Sequence, residues 1–220
     1  MSQSKSVLIL SGGWPGHEPE KTSARFAKLL EAEGCLVEIS HSLDSAADAE
    51  RLIQQFDLVI PNWTMGELSG EQQKGLCGAV AAGVGVAGIH GGAGDAFRAA
   101  CEFQFMMGGQ FVAHPGNIKD YTVFIADHTH PITQGLEPSF AYKSEQYYMH
   151  VDPAVRVLAT TLVNQPTSEN CEGVLMPVAW TKKHGKGRVY YNALGHQDAE
   201  FDQFPQAQQF VLNGMLWAMR

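Results

Sequence analysis

The feature that most constrains the fold is the alternation of short apolar runs with helix-period segments in the first half of the chain. Residues 7–10, 36–39 and 58–60 are strand-length runs rich in Val, Ile and Leu, and Pro61 closes the third. This alternation is typical of parallel βαβ units, in which a helix returns the chain to the start of the next strand. The predicted helices cover residues 20–33, 46–55 and 69–82.

Residues 84–89 form a fourth buried-strand pattern, and His90 follows at the tip of a glycine-flanked turn. A sharp turn from strand to helix lifts one side chain out of the carboxyl edge of a parallel sheet, where the N–H groups of the next helix also point. Such an elbow usually presents a Ser or Cys nucleophile. An imidazole occupies this place here, and the next helix is predicted over residues 95–107.

The pattern changes in the second half of the chain, where strands follow one another directly. Residues 121–126, 141–148 and 155–162 have strand character, and a turn signal at residues 181–187 favours a hairpin between two more strands. Those two strands and a closing helix are predicted over residues 174–180, 188–194 and 203–219. We predict a doubly wound, mostly parallel, flavodoxin-like sheet with an antiparallel strand extension in the C-terminal half.

Length and charge limit the classes of protein. A chain of 220 residues that is 45% hydrophobic suits one α/β domain over residues 1–220. The formal net charge of -8, without a basic cluster, argues against nucleic acid and an anionic membrane as partners. We expect a cytoplasmic protein, because the start of the chain resembles neither a signal peptide nor a membrane span. Its four cysteines are widely spaced and are predicted to be reduced thiols.

Three histidines follow predicted strands at equivalent places. His17 follows the first strand, His90 the fourth, and His196 the strand at residues 188–194. Because doubly wound sheets bind ligands outside the carboxyl ends of their strands, we expect the three imidazoles to meet at one edge. Asp198 lies two residues after His196 and has two open roles: it orients that imidazole, or it caps the next turn.

Two kinds of chemistry are open to these histidines. Imidazole transfers protons near neutral pH, and it also binds divalent metals. Catalytic zinc typically takes three protein ligands and keeps one open position, and the predicted metal ligands are His17, His90 and His196. His114 and Glu145 are further candidates for the same set. A second pair, His128 and His130, is better explained as part of a polar loop.

Aromatic residues and glycines complete the set of candidates. Trp14 follows the first strand, Trp63 follows the third, and Tyr147 lies in the second half, so all three are candidates for stacking on a sugar ring. Lids or core packing are the open alternative for such rings. The glycine-rich segments contain neither G-x-G-x-x-G nor a P-loop lysine, and we therefore predict no nucleotide cofactor.

Five stretches in order carry a resemblance to a known family. The elbow Gly88-Ile89-His90-Gly91-Gly92 comes first, and the others lie at residues 108–115, 130–136, 144–148 and 187–196. Together they resemble the ThuA-like (trehalose utilization) family of the class I glutamine amidotransferase-like superfamily, over most of the chain. In true amidotransferases the elbow residue is a Cys that attacks the glutamine amide, and a late strand is followed by a His with a nearby Glu.

The resemblance implies a site without the amidotransferase reaction. His196 and Asp198 are similar in position to the late His and Glu, but His90 replaces the nucleophile. Cys101 lies inside the predicted helix, about three turns away, so no glutaminase activity is expected. The predicted catalytic residues are His90, His196, Asp198 and Glu145. The predicted substrate-binding residues are Trp14, His17, Trp63, His114 and Tyr147.

Two function classes remain open from the sequence. The resemblance implies an enzyme of carbohydrate metabolism, a hydrolase, lyase or isomerase that acts on trehalose, another disaccharide or a keto-sugar. The density of titratable groups at strand ends favours this class. The alternative is a non-catalytic sugar-sensing or partner-binding module on a degenerate scaffold. A homo-oligomer is compatible with either class.

Overall fold

The computed structural model describes residues 4–163 and 171–220. Its first half follows the predicted alternation of strands and helices. The elements are β1 (Ser6–Gly13), α1 (Pro19–Ala32), β2 (Leu36–Ser40), α2 (Ala49–Gln55), β3 (Leu58–Thr64), α3 (Gly70–Ala82) and β4 (Gly85–Ile89). Ser69 opens α3 with the capping box expected from Gln72, since each side chain bonds the other residue's backbone N–H.

The second half is dominated by strands. Its elements are α4 (Gly91–Gly94), α5 (Cys101–Met107), β5 (Gly109–Ala113), β6 (Ile118–Ile125), β7 (Ser139–Glu145), β8 (Tyr148–Val151), β9 (Arg156–Val163), β10 (Val174–His184), β11 (Gly187–Asn192), α6 (Glu200–Gln203) and α7 (Pro205–Ala218). The predicted hairpin is confirmed, because β10 and β11 pair antiparallel across a short turn.

One sheet of nine strands runs through the molecule in the order β2-β1-β3-β4-β11-β10-β9-β6-β7. From β2 to β11 the neighbouring strands are parallel, and from β11 to β7 they are antiparallel. The sheet is therefore mixed, and the antiparallel part is larger than the extension that the sequence predicts. β11 belongs to both parts, since it pairs parallel with β4 and antiparallel with β10.

Helices cover the parallel part of the sheet in two groups. α1 contacts α7, whereas α3 contacts both α2 and α5. Residues 7–10 of β1 are fully inaccessible to solvent, as expected for a strand with helices on both faces. In the part of the chain that the structure describes, no helix combines the length and the apolar character needed to cross a membrane.

The structure corrects the predicted helix at residues 95–107. The chain leaves α4 after Gly94 and enters α5 only at Cys101, which is exposed. Phe97 adopts a positive φ of 47°, and its N–H donates to the Met65 carbonyl, while the Met65 N–H donates to the carbonyl of Asp95. These two bonds tie the segment to the loop after β3, and tertiary contacts thus override its helical pattern.

Two strand predictions also differ from the structure. The predicted strand at residues 141–148 is split into β7 and β8, because Gln146 turns away and its amide donates to Thr161 Oγ1 and the Leu162 carbonyl. β3 continues through Pro61, because it pairs with β4 only at residues 58–59 and with β1 along its whole length. A proline is tolerated where a strand has a neighbour on one side only.

Candidate functional site

Four side chains from distant parts of the chain converge at the carboxyl edge of the parallel strands. His17 ends a short 3-10 turn after β1, His90 follows β4, and His196 follows β11. Glu145, the last residue of β7, reaches the same place from the antiparallel part. One ligand atom from each of the four lies within 4.8 Å of the other three. The three strand-end histidines thus meet, as their topology predicts.

The Glu145 carboxylate lies at the centre of this histidine cluster. Its Oε2 is 3.3 Å from His90 Nε2, 3.3 Å from His196 Nδ1 and 3.8 Å from His17 Nε2. Its other oxygen, Oε1, is 3.7 Å from Nε2 of His114, whose side chain is 35% exposed. The four inner side chains are nearly buried, so His114 marks the side of the cluster that is open to solvent.

The elbow fixes the orientation of His90. This residue has φ 45° and ψ -138°, a backbone conformation that costs on the order of 1–3 kcal/mol for a residue with a Cβ. Its Nδ1 lies 2.7 Å from the Ala193 carbonyl oxygen, which only accepts hydrogen bonds, so Nδ1 carries the proton. Tyr147 stacks on the ring at 4.0 Å between centroids. His90 Nε2 therefore faces Glu145 with a free lone pair.

His17 is held from three sides. Its Nδ1 lies 2.7 Å from Thr64 Oγ1, and Trp14 packs edge-on against its ring at 4.9 Å between centroids. Gly91 supplies the third side, because a Cβ at that position would lie 2.4 Å from His17 Nδ1. Thr64 comes from the end of β3, and its role is not apparent in the sequence.

The turn that carries His196 is bonded to a buried carboxylate that sequence reasoning missed. Glu200 Oε2 accepts a hydrogen bond from the His196 backbone N–H at 3.1 Å and another from the Tyr142 hydroxyl at 2.6 Å. Its Oε1 accepts from Ser144 Oγ at 2.9 Å. The Tyr142 oxygen in turn accepts from the Gly195 N–H at 3.0 Å. A carboxylate four residues after a histidine gives no recognisable signal in a single sequence.

Burial and mutual contacts shift the pKa values of the cluster. Burial is the largest influence on His90 and lowers its pKa to about 4, so this imidazole is neutral at neutral pH. Burial acts to raise the pKa of Glu145, but contacts with His17, His196 and His90 hold it well below its usual range. Burial acts to lower the pKa of His196, and the facing Glu145 carboxylate outweighs it and raises that pKa.

This arrangement of donors suits a cation. His90 Nε2 and His196 Nδ1 are buried and have no hydrogen-bond partner, although each lies 3.3 Å from a carboxylate oxygen. Two lone pairs that face each other at this distance need a proton or a cation between them. Around zinc, with bonds of about 2.0 Å, tetrahedral ligand atoms lie roughly 3.3 Å apart. The residues present therefore fit a divalent metal bound by three imidazoles and one carboxylate.

The structure places Asp198 outside the cluster and corrects its predicted role. Its two carboxylate oxygens accept hydrogen bonds from Arg25, at 2.6 and 2.9 Å, in the bidentate geometry that guanidinium favours. Among the described residues, no hydrogen bond joins Asp198 to the His196 ring. The carboxylate thus fastens α1 to the loop before α6, and neither predicted role for it, orienting His196 or capping a turn, describes its side chain.

Two other predicted groups lie apart from the cluster. Trp63 is half-buried, and its ring packs closely on Gly12, where an added Cβ would lie 2.5 Å from the ring. This is the core packing that the sequence left open as the alternative to stacking on a sugar. His130 is buried, and its Nδ1 accepts a hydrogen bond from the Ile132 N–H at 3.2 Å. It therefore stabilises the loop before a 3-10 turn, as the polar-loop interpretation of His128 and His130 expects.

Comparison with known proteins decides the family. The ThuA family, described as trehalose utilisation, matches residues 6–218. The chain belongs to the ThuA family. This confirms the resemblance that the elbow and the four other stretches carry, and membership of the family supports an amidotransferase-like fold and a role in trehalose utilisation. No curated protein matches the sequence.

Solved structures agree with the ThuA assignment at the level of the fold. A ThuA-like protein from Bacteroides uniformis ATCC 8492 is 21% identical, with a TM-score of 0.80 over 99% of this chain and 93% of its own. Another from Parabacteroides merdae ATCC 43184 is 20% identical, with a TM-score of 0.79 over 98% and 90%. A cytoplasmic protein from Salmonella typhimurium LT2 is 12% identical, with a TM-score of 0.66 over 98% and 100%.

Proposed function

We propose that this ThuA protein is a metal-dependent enzyme that acts on a small carbohydrate at the carboxyl edge of its sheet. The single observation that carries the proposal is the histidine cluster, in which one ligand atom from each of His17, His90, His196 and Glu145 lies within 4.8 Å of the other three. Among the described residues it is the one group of at least three His, Cys, Asp or Glu with this spacing. The trehalose description of the family favours a disaccharide or a keto-sugar as substrate.

The four residues would hold a divalent metal such as zinc. When bound, such an ion would supply Lewis acidity toward a substrate oxygen that it takes as a ligand beyond these four. The reaction class is hydrolysis, elimination or isomerisation. Catalysis by His90 and His196 as proton-transfer groups is the alternative chemistry for the same cluster, and it needs no metal.

Surrounding side chains are suited to binding the substrate. Trp14 is 43% exposed beside His17 and offers a ring on which a sugar stacks. His114 lies at the solvent side of Glu145, within reach of a substrate that approaches the cluster. The Tyr147 ring stacks on the His90 ring, and we assign Tyr147 to support of that imidazole. No nucleotide cofactor takes part in this proposal, and a cytoplasmic location and a homo-oligomer remain predictions.

Elemental analysis of protein purified without chelators tests the metal. We expect a stoichiometric divalent metal in the wild type and its loss in the variants His90→Ala, His196→Ala and Glu145→Gln. Asp198→Asn is the control, because its side chain bonds Arg25 and we expect it to retain the metal. Wild-type protein without metal would overturn the metalloenzyme proposal and leave acid-base catalysis or a sugar-sensing module.

A substrate screen tests the enzyme. Disaccharides and their keto derivatives are incubated with the wild type, and products are followed by NMR. We expect turnover that disappears in Glu145→Gln and persists in Asp198→Asn. Binding without turnover for every sugar tested would favour the sensing module.

A further inference from the structure

We infer that Glu200 is a positioning residue that sets the juxtaposition of Glu145 and His196. The inference deepens the proposed function and rests on it for its effect on metal binding. The Glu200 carboxylate has three hydrogen-bond donors, the hydroxyls of Tyr142 and Ser144 and the backbone N–H of His196. They come from a strand of the sheet and from the turn after another strand, and each of these two elements carries one member of the histidine cluster.

The first element is β7. Tyr142 and Ser144 donate to the two oxygens of Glu200, at 2.6 and 2.9 Å, and Glu145 follows Ser144 as the last residue of the strand. Tyr142 and Ser144 are 1% and 0% exposed, so solvent does not replace these bonds. Glu200 thus fixes the end of β7 from which the Glu145 carboxylate enters the cluster.

The second element is the turn after β11. The His196 N–H donates to Glu200, and the Gly195 N–H donates to the Tyr142 oxygen, so one hydrogen-bonded unit holds two consecutive peptide groups. Gly195 has a φ of 98°, a conformation that only glycine adopts readily, and these bonds stabilise it. The direction in which the His196 ring leaves the backbone depends on this turn.

His90 is attached to the same turn. Its Nδ1–H donates to the carbonyl of Ala193, three residues before His196, and that bond fixes the tautomer with a free Nε2. Residues 193–196 therefore orient two of the three imidazoles. Glu200 connects this segment to β7, the strand that ends in Glu145, because its carboxylate bonds both. The bond from the Gly195 N–H to the Tyr142 oxygen joins the same two elements directly.

A set of variants tests this role. Glu200→Ala removes all three acceptor contacts, and we expect zinc affinity to fall by about 10- to 100-fold, as is typical when a group that orients metal ligands is lost. Glu200→Gln is the conservative variant, because its amide oxygen still accepts from Tyr142 and His196 while its NH2 donates to Ser144. We expect it to restore most of the affinity. Asp202→Ala is the matched control on α6, since Asp202 contacts Arg25 at the surface.

A second measurement separates the two proposals. The imidazole ¹⁵N and ¹H resonances of His196 and His90 are recorded by NMR in metal-free protein. We expect them to shift in Glu200→Ala and to stay at their wild-type positions in Asp202→Ala. If the wild type binds no zinc but these shifts occur, the metal proposal fails and the positioning role stands. If Glu200→Ala leaves both zinc affinity and the resonances unchanged, the positioning role is wrong.

The same experiment includes a control for the folding of each variant. Far-UV circular dichroism and the Tm of each metal-free variant report whether the chain still folds. Ser144→Ala removes a single bond to Glu200, and it replaces Glu200→Ala if that variant does not fold. We then expect a smaller loss of zinc affinity and smaller shifts of the same two imidazoles, and an unchanged affinity and spectrum would again contradict the inference.

Discussion

Protonation of single side chains governs the proposed binding of a metal to the histidine cluster. Glu145 raises the pKa of His196 against the effect of burial, whereas burial lowers that of His90 to about 4. At a pH below the raised pKa of His196, the proposed metal would have to displace a proton from that imidazole, whereas His90 is neutral at neutral pH. Protons and metal compete for the same nitrogen, and binding releases the proton.

We predict that zinc affinity decreases as the pH falls through the raised pKa of His196 and levels off above it. The sign follows from the competition, because protonated His196 offers no lone pair. Isothermal titration in buffers of different ionisation enthalpy measures both the affinity and the protons released. An affinity that stays constant from alkaline to mildly acidic pH would show that His196 is not a ligand.

The identity of the side chain at the elbow, His90, also bears on whether the protein hydrolyses glutamine. The resemblance to amidotransferases raises the question of glutamine hydrolysis, but His90 occupies the nucleophile position and the exposed thiol of Cys101 lies at the start of α5. We predict no release of ammonia from glutamine. A thiol-reactive glutamine analogue is expected to label Cys101 as any exposed thiol, and Cys101→Ser removes the label. Ammonia production by the wild type would contradict this prediction.

At the scale of elements, close packing of the elbow leaves no room for a side chain next to His90. A Cβ at Gly91 would lie 2.3 Å from His17 Cε1, whereas a Cβ at Gly78, in the middle of α3, would have nothing within 4 Å. We predict that Gly91→Ala destabilises the protein by about 1–3 kcal/mol and weakens zinc binding, because it displaces His17. Urea unfolding and zinc titration measure the two effects.

Gly78→Ala is the matched control for the elbow variant. Alanine in an open helix interior is favoured over glycine by about 1 kcal/mol, so we expect greater stability and unchanged zinc affinity. If both variants were equally stable and bound zinc alike, the close contact between Gly91 and His17 would not restrain the cluster.

The elements also show what a single sequence reveals. Alternating strands and helices, the elbow and the β10–β11 hairpin follow from local patterns, and the structure confirms them. The break in the predicted helix at residues 95–107 does not, because it depends on hydrogen bonds between Asp95, Phe97 and the distant Met65. The split after β7 depends in the same way on Gln146 reaching Thr161. Local patterns do not encode partners that lie far along the chain.

The same limit applies to the site. His17, His90 and His196 are predictable, since the topology of parallel strands places their loops at one edge. Glu145 enters from the antiparallel part of the sheet, so the strand-end rule alone does not place it, and only the family motif at residues 144–148 draws attention to it. Asp198 illustrates the opposite error, because its closeness in sequence to His196 suggested a contact, whereas its carboxylate bonds Arg25.

At the scale of the whole molecule, the four cluster residues connect both parts of the sheet. A ligand that binds only the folded chain stabilises it, by about 2.7 kcal/mol at a concentration 100 times its Kd. For a chain of this size we predict that zinc raises the Tm by roughly 5 to 10 °C and that Glu145→Gln abolishes the increase. Differential scanning calorimetry with and without a chelator measures it, and an equal increase in the variant would place zinc elsewhere.

The position of β11 has a consequence for how the protein is made. Residues 187–192 are synthesised long after β4, yet this strand lies at the centre of the sheet, between β4 and β10. While residues 187–192 are still inside the ribosome, the nascent chain exposes two open strand edges and lacks His196. Chaperones that shield such edges therefore have a long interval in which to act. The proposed metal site would be complete only after His196 has left the ribosome.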